Sequence, residues 1–163
     1  MSSAPAWLPA IMMLSDHSGD WQRFIDAVYA IFHRDFIASQ PKFEGKWVRC
    51  RRDPIYDGKE AGFWHCTSEG RDEANRRPDL RRCERIGWVR ATIENSADSS
   101  IDVWVRDDGR TGLKTHVWFN EEYLVVLGQR KKGQRFQLIT AFCTDRRHTI
   151  EKKRKERARY RND

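Results

Sequence analysis

Residues 101–142, IDVWVRDDGRTGLKTHVWFNEEYLVVLGQRKKGQRFQLITAF, decide the fold of this chain. Apolar and polar residues alternate at the start of the stretch, and a continuous apolar run in its middle is typical of a strand buried on both faces. Asp108-Gly109 and Lys131-Lys132-Gly133 are turn sequences between these segments. The stretch therefore predicts four consecutive antiparallel strands. These strands are expected at residues 101–106, 113–119, 123–127 and 135–142.

The residues before this stretch predict one long helix and two further strands. Apolar side chains recur at helical spacing over residues 21–37, which predicts an amphipathic helix with Asp20 as its N-cap. Strands are expected at residues 46–52 and 62–67, and a short helix over 80–85. The predicted fold class is therefore α+β: an N-terminal amphipathic helix packed on an antiparallel sheet of four to six strands, a short arginine-rich helix and a basic C-terminal helix.

The net charge of the 163-residue chain is +7, and one segment accounts for it. Residues 146–161 contain nine basic and two acidic residues, so the whole excess of seven lies there. We expect a single α+β domain over residues 1–145 and a basic helical tail over 146–163. The tail has too few apolar residues for a packed stripe, so we expect truncation after Asp145 to leave the domain folded. Polyanions are the natural partners of such a segment, and a solvated chain end is the alternative.

Several protein classes lack support in the sequence. No apolar run reaches the roughly 18 residues of a membrane span, and the N-terminus has no basic segment followed by an apolar one, as an export signal would. The four cysteines do not have the spacing of a zinc site, and there is no glycine-rich phosphate loop or cluster of aspartates. We expect a cytoplasmic protein with reduced thiols, no cofactor, no metal site and no contact with membranes.

His65 is the best candidate for acid/base chemistry. It follows Phe63-Trp64 on a predicted strand, and seven arginines come within the next 25 residues. An imidazole titrates near neutrality, and RNA supplies its own 2′-hydroxyl nucleophile, so cleavage needs only a base, an acid and cations around the phosphate. The alternative is a histidine that hydrogen-bonds within an aromatic core. His116 is expected to be an outward-facing residue of the sheet.

Arginines and hydroxyl groups complete the set of residues that we expect to contact a phosphate. Pro78 and Gly87 are expected to begin and end the short helix, on which Arg81 and Arg85 share a face. A strand hydroxyl, Thr140, can donate to a phosphate oxygen, although period-two counting puts it on the face of Phe136 and favours packing in the sheet. The expected catalytic residues are His65, Arg85 and Thr140. The expected substrate-binding residues are Arg81, Arg82, Arg130, Lys131, Lys132, Arg146, Arg147, Lys152 and Lys153.

Four stretches carry a resemblance to a known family: EAGFWHCTSEG, PDLRRCERIGW, EEYLVVLGQRKKGQRFQLITAFCTD and HTIEKKRKERARY. They resemble a family of small bacterial and mobile-element proteins that is similar to the phage and toxin branch of the barnase–EndoU–colicin–RelE superfamily of RNases. The resemblance implies a helix packed on a four-stranded antiparallel sheet. It also implies metal-independent cleavage of tRNA or mRNA to a 2′,3′-cyclic phosphate, and a protein antitoxin as a partner.

The same resemblance assigns roles to individual residues. His65 matches the early-strand acid/base, Arg85 or Arg81 the phosphate-binding arginine, and Thr140 the late-strand hydroxyl. The chain departs from the family's pattern because its sheet lacks a clear second histidine or a glutamate base.

The sequence therefore predicts a metal-independent endoribonuclease of toxin type. One alternative is a non-catalytic RNA- or DNA-binding protein that stacks bases on Trp47, Trp64 or Trp88. Another is a protein-interaction module whose tail only increases solubility.

Overall fold

The computed structural model describes residues 3–72 and 75–161, and within them it has an α+β architecture of five α-helices and a mixed six-stranded sheet. The helices are α1 (Trp21–Phe32), α2 (Ala61–Thr67), α3 (Leu80–Glu84), α4 (Ile86–Glu94) and α5 (Arg147–Tyr160). The sheet contains β1 (Lys42–Phe43), β2 (Lys46–Cys50), β7 (Ile101–Asp107), β8 (Leu113–Phe119), β9 (Tyr123–Arg130) and β10 (Arg135–Cys143). Two small ladders pair β3 (Ile55–Tyr56) with β4 (Lys59–Glu60) and β5 (Ser68–Glu69) with β6 (Arg77–Pro78).

The four strands predicted from residues 101–142 are present and form an antiparallel meander, β7 to β10. The strand order of the sheet is β1-β2-β10-β9-β8-β7. However, β2 runs parallel to β10, with Val48 opposite Phe136, so the prediction of an antiparallel sheet is wrong at this pair. A parallel pair needs a long crossover, and here nearly the whole middle of the chain supplies it.

Helix α1 begins where the sequence predicts it. The carboxylate of Asp20 accepts a hydrogen bond from the backbone N–H of Arg23, which is the expected cap. Phe24, Ile25, Val28 and Phe32 are buried in the main core. The chain then continues through a π-helical turn, His33–Ile37. Helix α1 contacts α3 and α4, and Phe32 meets Phe63 of α2 at 5.5 Å between ring centroids. The main core therefore lies between this layer of helices and the inner face of the sheet.

Residues 62–67 form helix α2, so the strand predicted there, and with it the strand position of His65, is wrong. Phe63, Cys66 and Thr67 lie at i, i+3 and i+4, and all three are buried. Gly62 lets the helix approach the end of β2, because a Cβ at this position would lie 2.9 Å from the carbonyl oxygen of Arg51. The six residues 62–67 are too few to distinguish the two periods, and the tertiary packing selects the helix.

The short arginine-rich helix is present, but its ends differ from those predicted. The side chain of Asp79, rather than Pro78, begins α3 by accepting a hydrogen bond from the N–H of Arg82. Gly87 does not end a helix, since it lies in α4, which the sequence analysis did not predict. Within α4, Ile86, Val89 and Ile93 are buried in the main core.

Helix α5 packs on the outer face of the sheet, contrary to the expectation of a solvent-facing tail. Ile150 and Tyr160 contact a second core. The buried members of that core are Trp104, Trp118, Leu124 and Val126. The polar residues that precede α5 are engaged elsewhere: Thr144 accepts from the indole N–H of Trp118 at 2.7 Å, and Asp145 pairs with Arg81. The packing of α5 argues against the expectation that the domain folds without residues after 145, which stays a prediction. In the described part of the chain, no helix is long and apolar enough to cross a membrane.

Candidate nucleic-acid interface

The structure brings three predicted site residues together, but through the main chain of one of them. The backbone carbonyl of His65, on α2, accepts the hydroxyl of Thr140 at 2.8 Å and Nη1 of Arg82 at 3.3 Å. Arg82 also donates to the carbonyl of Ser68 at 2.9 Å. These contacts join α2, α3 and β10. The hydroxyl of Thr140 thus holds a helix in place, which is a structural role.

A bulge in β10 explains why counting along the strand misplaces Thr140. The register with β9 shifts between Leu138 and Thr140, so side-chain alternation changes phase there. Phe136 and Leu138 before the shift, and Ala141 after it, belong to the main core. Period-two counting predicts Thr140 on the face of Phe136, and this prediction is wrong because of the bulge.

Five of the ten predicted phosphate-binding cations already pair with carboxylates. Arg81 makes two hydrogen bonds to Asp145, at 2.9 and 2.6 Å. This hydrogen bonding lowers the pKa of the Asp145 carboxyl. The others pair as Arg82–Asp79, Arg85–Glu84, Arg147–Glu151 and Lys153–Glu156. A phosphate would have to compete with each of these carboxylates, which weakens the case for a site built on these residues.

Between α3 and the start of α5 lies a cavity of about 280 Å³ that the sequence analysis did not find. Its basic lining is Arg81, Arg82, Arg146 and the exposed His148, with Thr149 beside them. Its acidic lining is Glu69, Asp79 and Asp145. The sign of this cavity in the sequence is His148, which lies within the most basic segment. An analysis restricted to histidines on predicted strands misses it.

His116 points to the outer face of the sheet as predicted, but α5 buries it. Its ring stacks on Trp104 with 5.1 Å between centroids, and Nε2 lies 3.2 Å from Oε1 of Glu156. Burial, followed by the charge of Lys153, lowers the pKa of His116 from 6.5 to about 4. His116 therefore belongs to the contact between α5 and the sheet.

The part of the outer face that α5 does not cover presents one exposed indole among cations. Val48 and Phe136 are buried in the main core, so their strand neighbours point to the outer face. Here Trp47 is 49% exposed, and Nζ of Lys42 on β1 lies 4.5 Å from its ring centroid. Arg130 lies opposite Arg135 and donates to Gln137 at 2.7 Å. We call this surface the open half-face; its residues are Lys42, Trp47, Arg49, Arg130, Arg135 and Gln137.

The cations of the open half-face differ from Arg81 and Arg82 of α3, which pair with carboxylates, and resemble Lys152 and Lys155 of α5, which form no ion pair within the described residues. In residues 3–72 and 75–161, none of Lys42, Arg49, Arg130 and Arg135 forms an ion pair. The same holds, within that part of the chain, for Lys131 and Lys132 in the adjoining β9–β10 turn. The acidic residue closest in sequence to β1 and β2 is Glu44, in the turn between them. The surface therefore carries a net positive charge that is open to an anionic ligand.

In the described ranges, His, Cys, Asp and Glu side chains do not gather in a group of three that could hold a metal ion. The cysteines there are unlinked thiols, and burial raises the pKa of Cys66 to about 12. Neither protein-family models, nor curated proteins, nor solved structures match this chain.

Proposed function

We propose that this protein binds RNA on the open half-face. One observation supports the proposal above all: on one side of the sheet, cations that lack carboxylate partners surround an exposed tryptophan. Cations that neutralise phosphates release condensed counterions, and this release drives binding to nucleic acid. Paired arginines such as Arg81 contribute less, because a phosphate must first displace Asp145.

A salt titration with matched charge variants tests the proposal. The test variant replaces Arg49, Arg130 and Arg135 by alanine. The control replaces Lys152, Lys155 and Arg159, which are exposed on α5, so both variants lose the same charge. Each phosphate contact on a single strand contributes about 0.7 to the slope of log K against log salt. We expect the test variant to flatten the slope by about 2 and the control to leave it unchanged.

A result in which only the α5 variant flattens the slope would overturn the proposal. It would instead assign binding to the basic helix, as the sequence analysis expects for Lys152. Fluorescence anisotropy of a labelled RNA oligonucleotide measures both variants over one salt series.

Cleavage of RNA is a second candidate function, favoured by the cavity between α3 and α5. Its lining brings His148 next to Arg81, Arg82 and Arg146, which are the residue types that metal-independent transesterification needs. In this proposal His148 transfers a proton and the arginines stabilise the phosphorane. Three predictions from the resemblance remain open: the acid/base role of His65, a toxin role on tRNA or mRNA, and a protein antitoxin as partner.

Incubation of the protein with total RNA in EDTA tests this second candidate. Cleavage to 2′,3′-cyclic phosphate and 5′-hydroxyl ends supports it, and strict dependence on Mg²⁺ contradicts it. The variants His148→Ala and His65→Ala then show which histidine acts, since loss of an acid/base group costs about two to four orders of magnitude in rate. RNA that stays intact while it binds leaves binding as the function.

A further inference from the structure

We infer that the open half-face takes single-stranded RNA, with one base stacked on Trp47. The inference rests on the proposed function and specifies its ligand. It starts from the different surroundings of the tryptophans that the sequence suggests for stacking.

Two of those three tryptophans are engaged in the fold. Trp88 is 6% exposed and donates its indole N–H to the carbonyl of Pro9 at 2.9 Å. Trp64 is half-buried against the main core and donates to the carbonyl of Tyr56 at 3.0 Å. Trp47, in contrast, is half exposed on β2. It is therefore the member of this group whose ring is accessible to a base.

The surroundings of Trp47 suit an extended single strand. Neighbouring strands lie about 4.8 Å apart, so Lys42 on β1 and Arg130 on β9 are separated by about 14 Å across three strand spacings. Trp47 and Arg49 lie between them on β2, and Arg135 lies on β10. A short row of nucleotides crossing the strands would meet a cation on both sides of the indole.

A duplex cannot use this arrangement fully. Its bases are stacked inside the helix, so an indole on the protein surface meets only sugar and phosphate. In a single strand a base can turn out and stack on the ring, while its phosphate lies near Lys42, whose amine is already 4.5 Å from the ring centroid. Stacking thus adds to affinity for single strands alone, whereas the cations attract both forms.

Binding of a U-rich RNA of about ten nucleotides, and of a blunt-ended RNA duplex of the same length without unpaired bases, tests the inference. Trp47→Ala should weaken binding of the single strand by about 5- to 150-fold and leave duplex binding unchanged. Trp47→Phe should keep most of the affinity, because phenylalanine still offers an aromatic face. Trp21→Ala is the matched control, since Trp21 is 38% exposed on α1 and lies outside the open half-face.

The outcomes separate this inference from the function on which it rests. If Trp47→Ala binds the single strand as tightly as the parent protein, or loses duplex binding equally, stacking on Trp47 is refuted while RNA binding stands. If neither RNA binds in a salt-dependent manner, the proposed function itself fails. Circular dichroism of each variant checks that the fold persists.

Discussion

Glu156 should be the most important single residue in attaching α5 to the sheet. Its carboxylate accepts hydrogen bonds from the indole N–H of Trp104 at 3.1 Å and from Nη1 of Arg106 at 2.9 Å. His116 and Lys153 approach the same carboxylate at 3.2 and 3.4 Å. The side chains of Glu156 and Lys153 are 9% and 10% exposed, so this is a buried ion pair. The substitution Glu156→Gln removes its charge and keeps its shape.

The magnitude follows from the partner that is left behind. Arg106 retains Asp108, at 2.5 Å, but in the described residues Lys153 has Glu156 as its carboxylate partner. Removal of one member of a buried pair costs about 3–5 kcal/mol. We take the lower end, about 3 kcal/mol, because glutamine keeps an acceptor for Trp104. For a chain of this size that is a decrease in Tm of about 6–12 °C.

Differential scanning calorimetry and urea unfolding measure this change. The control is Glu151→Gln on the same helix, whose partner Arg147 is 94% exposed, so the loss should stay below about 1 kcal/mol. Adding Lys153→Met to Glu156→Gln should restore part of the stability, because it removes the unpaired cation. Equal effects of Glu156→Gln and Glu151→Gln would refute the reasoning.

Three further predictions concern the same fold. His116 takes up its proton at lower pH in the folded protein than in the unfolded chain. The free energy of unfolding should therefore decrease as pH falls from about 6.5 to about 4. In urea titrations, His116→Gln should make this dependence on pH shallower. Truncation after Asp145 exposes the second core and should abolish cooperative unfolding in circular dichroism; a truncated chain with the parent's Tm would contradict this. Gly62→Ala should cost about 1–3 kcal/mol, because the new Cβ would lie 2.9 Å from the backbone oxygen of Arg51. Gly87→Ala, with 3.4 Å to Pro9, should be tolerated or gain up to about 1 kcal/mol of helix propensity, and equal losses from both would contradict this account.

Local signals explain which parts of the fold could be predicted. The meander β7–β10 combines alternating residues with turn sequences, and α1 combines an apolar stripe with a cap at Asp20. Residues 62–67 are too short for periodicity to separate a helix from a strand. The parallel pairing of β2 with β10 joins segments far apart in sequence, so no local pattern reports it.

Helix α5 shows a different limit of sequence patterns. An apolar stripe is the usual sign of a packed helix, but Glu156 and Arg157 attach α5 to β7 through ion pairs with Arg106 and Asp102. The long stem of Lys153 is buried in the same contact. A pattern search treats such residues as solvated.

The candidate site could be predicted by residue type but not by arrangement. The sequence predicts Lys131 and Lys132 as RNA-binding residues, and they adjoin the open half-face. Whether an arginine is available depends on distant partners: Arg81 pairs with Asp145, which is 64 residues away. Likewise, the sequence suggests both Trp47 and Trp88 for base stacking, and only the structure shows that Trp88 is buried while Trp47 is exposed.

The most direct test of the central proposal is where RNA lies on the protein. Ultraviolet crosslinking of a U-rich RNA, followed by mass spectrometry of the crosslinked peptides, gives that position without any substitution. We expect crosslinks at Trp47 on β2 and in the segment from Arg130 to Arg135, and we expect excess single-stranded competitor to remove them. Crosslinks confined to the exposed side of α5, at Lys152 or Lys155, would contradict binding on the open half-face.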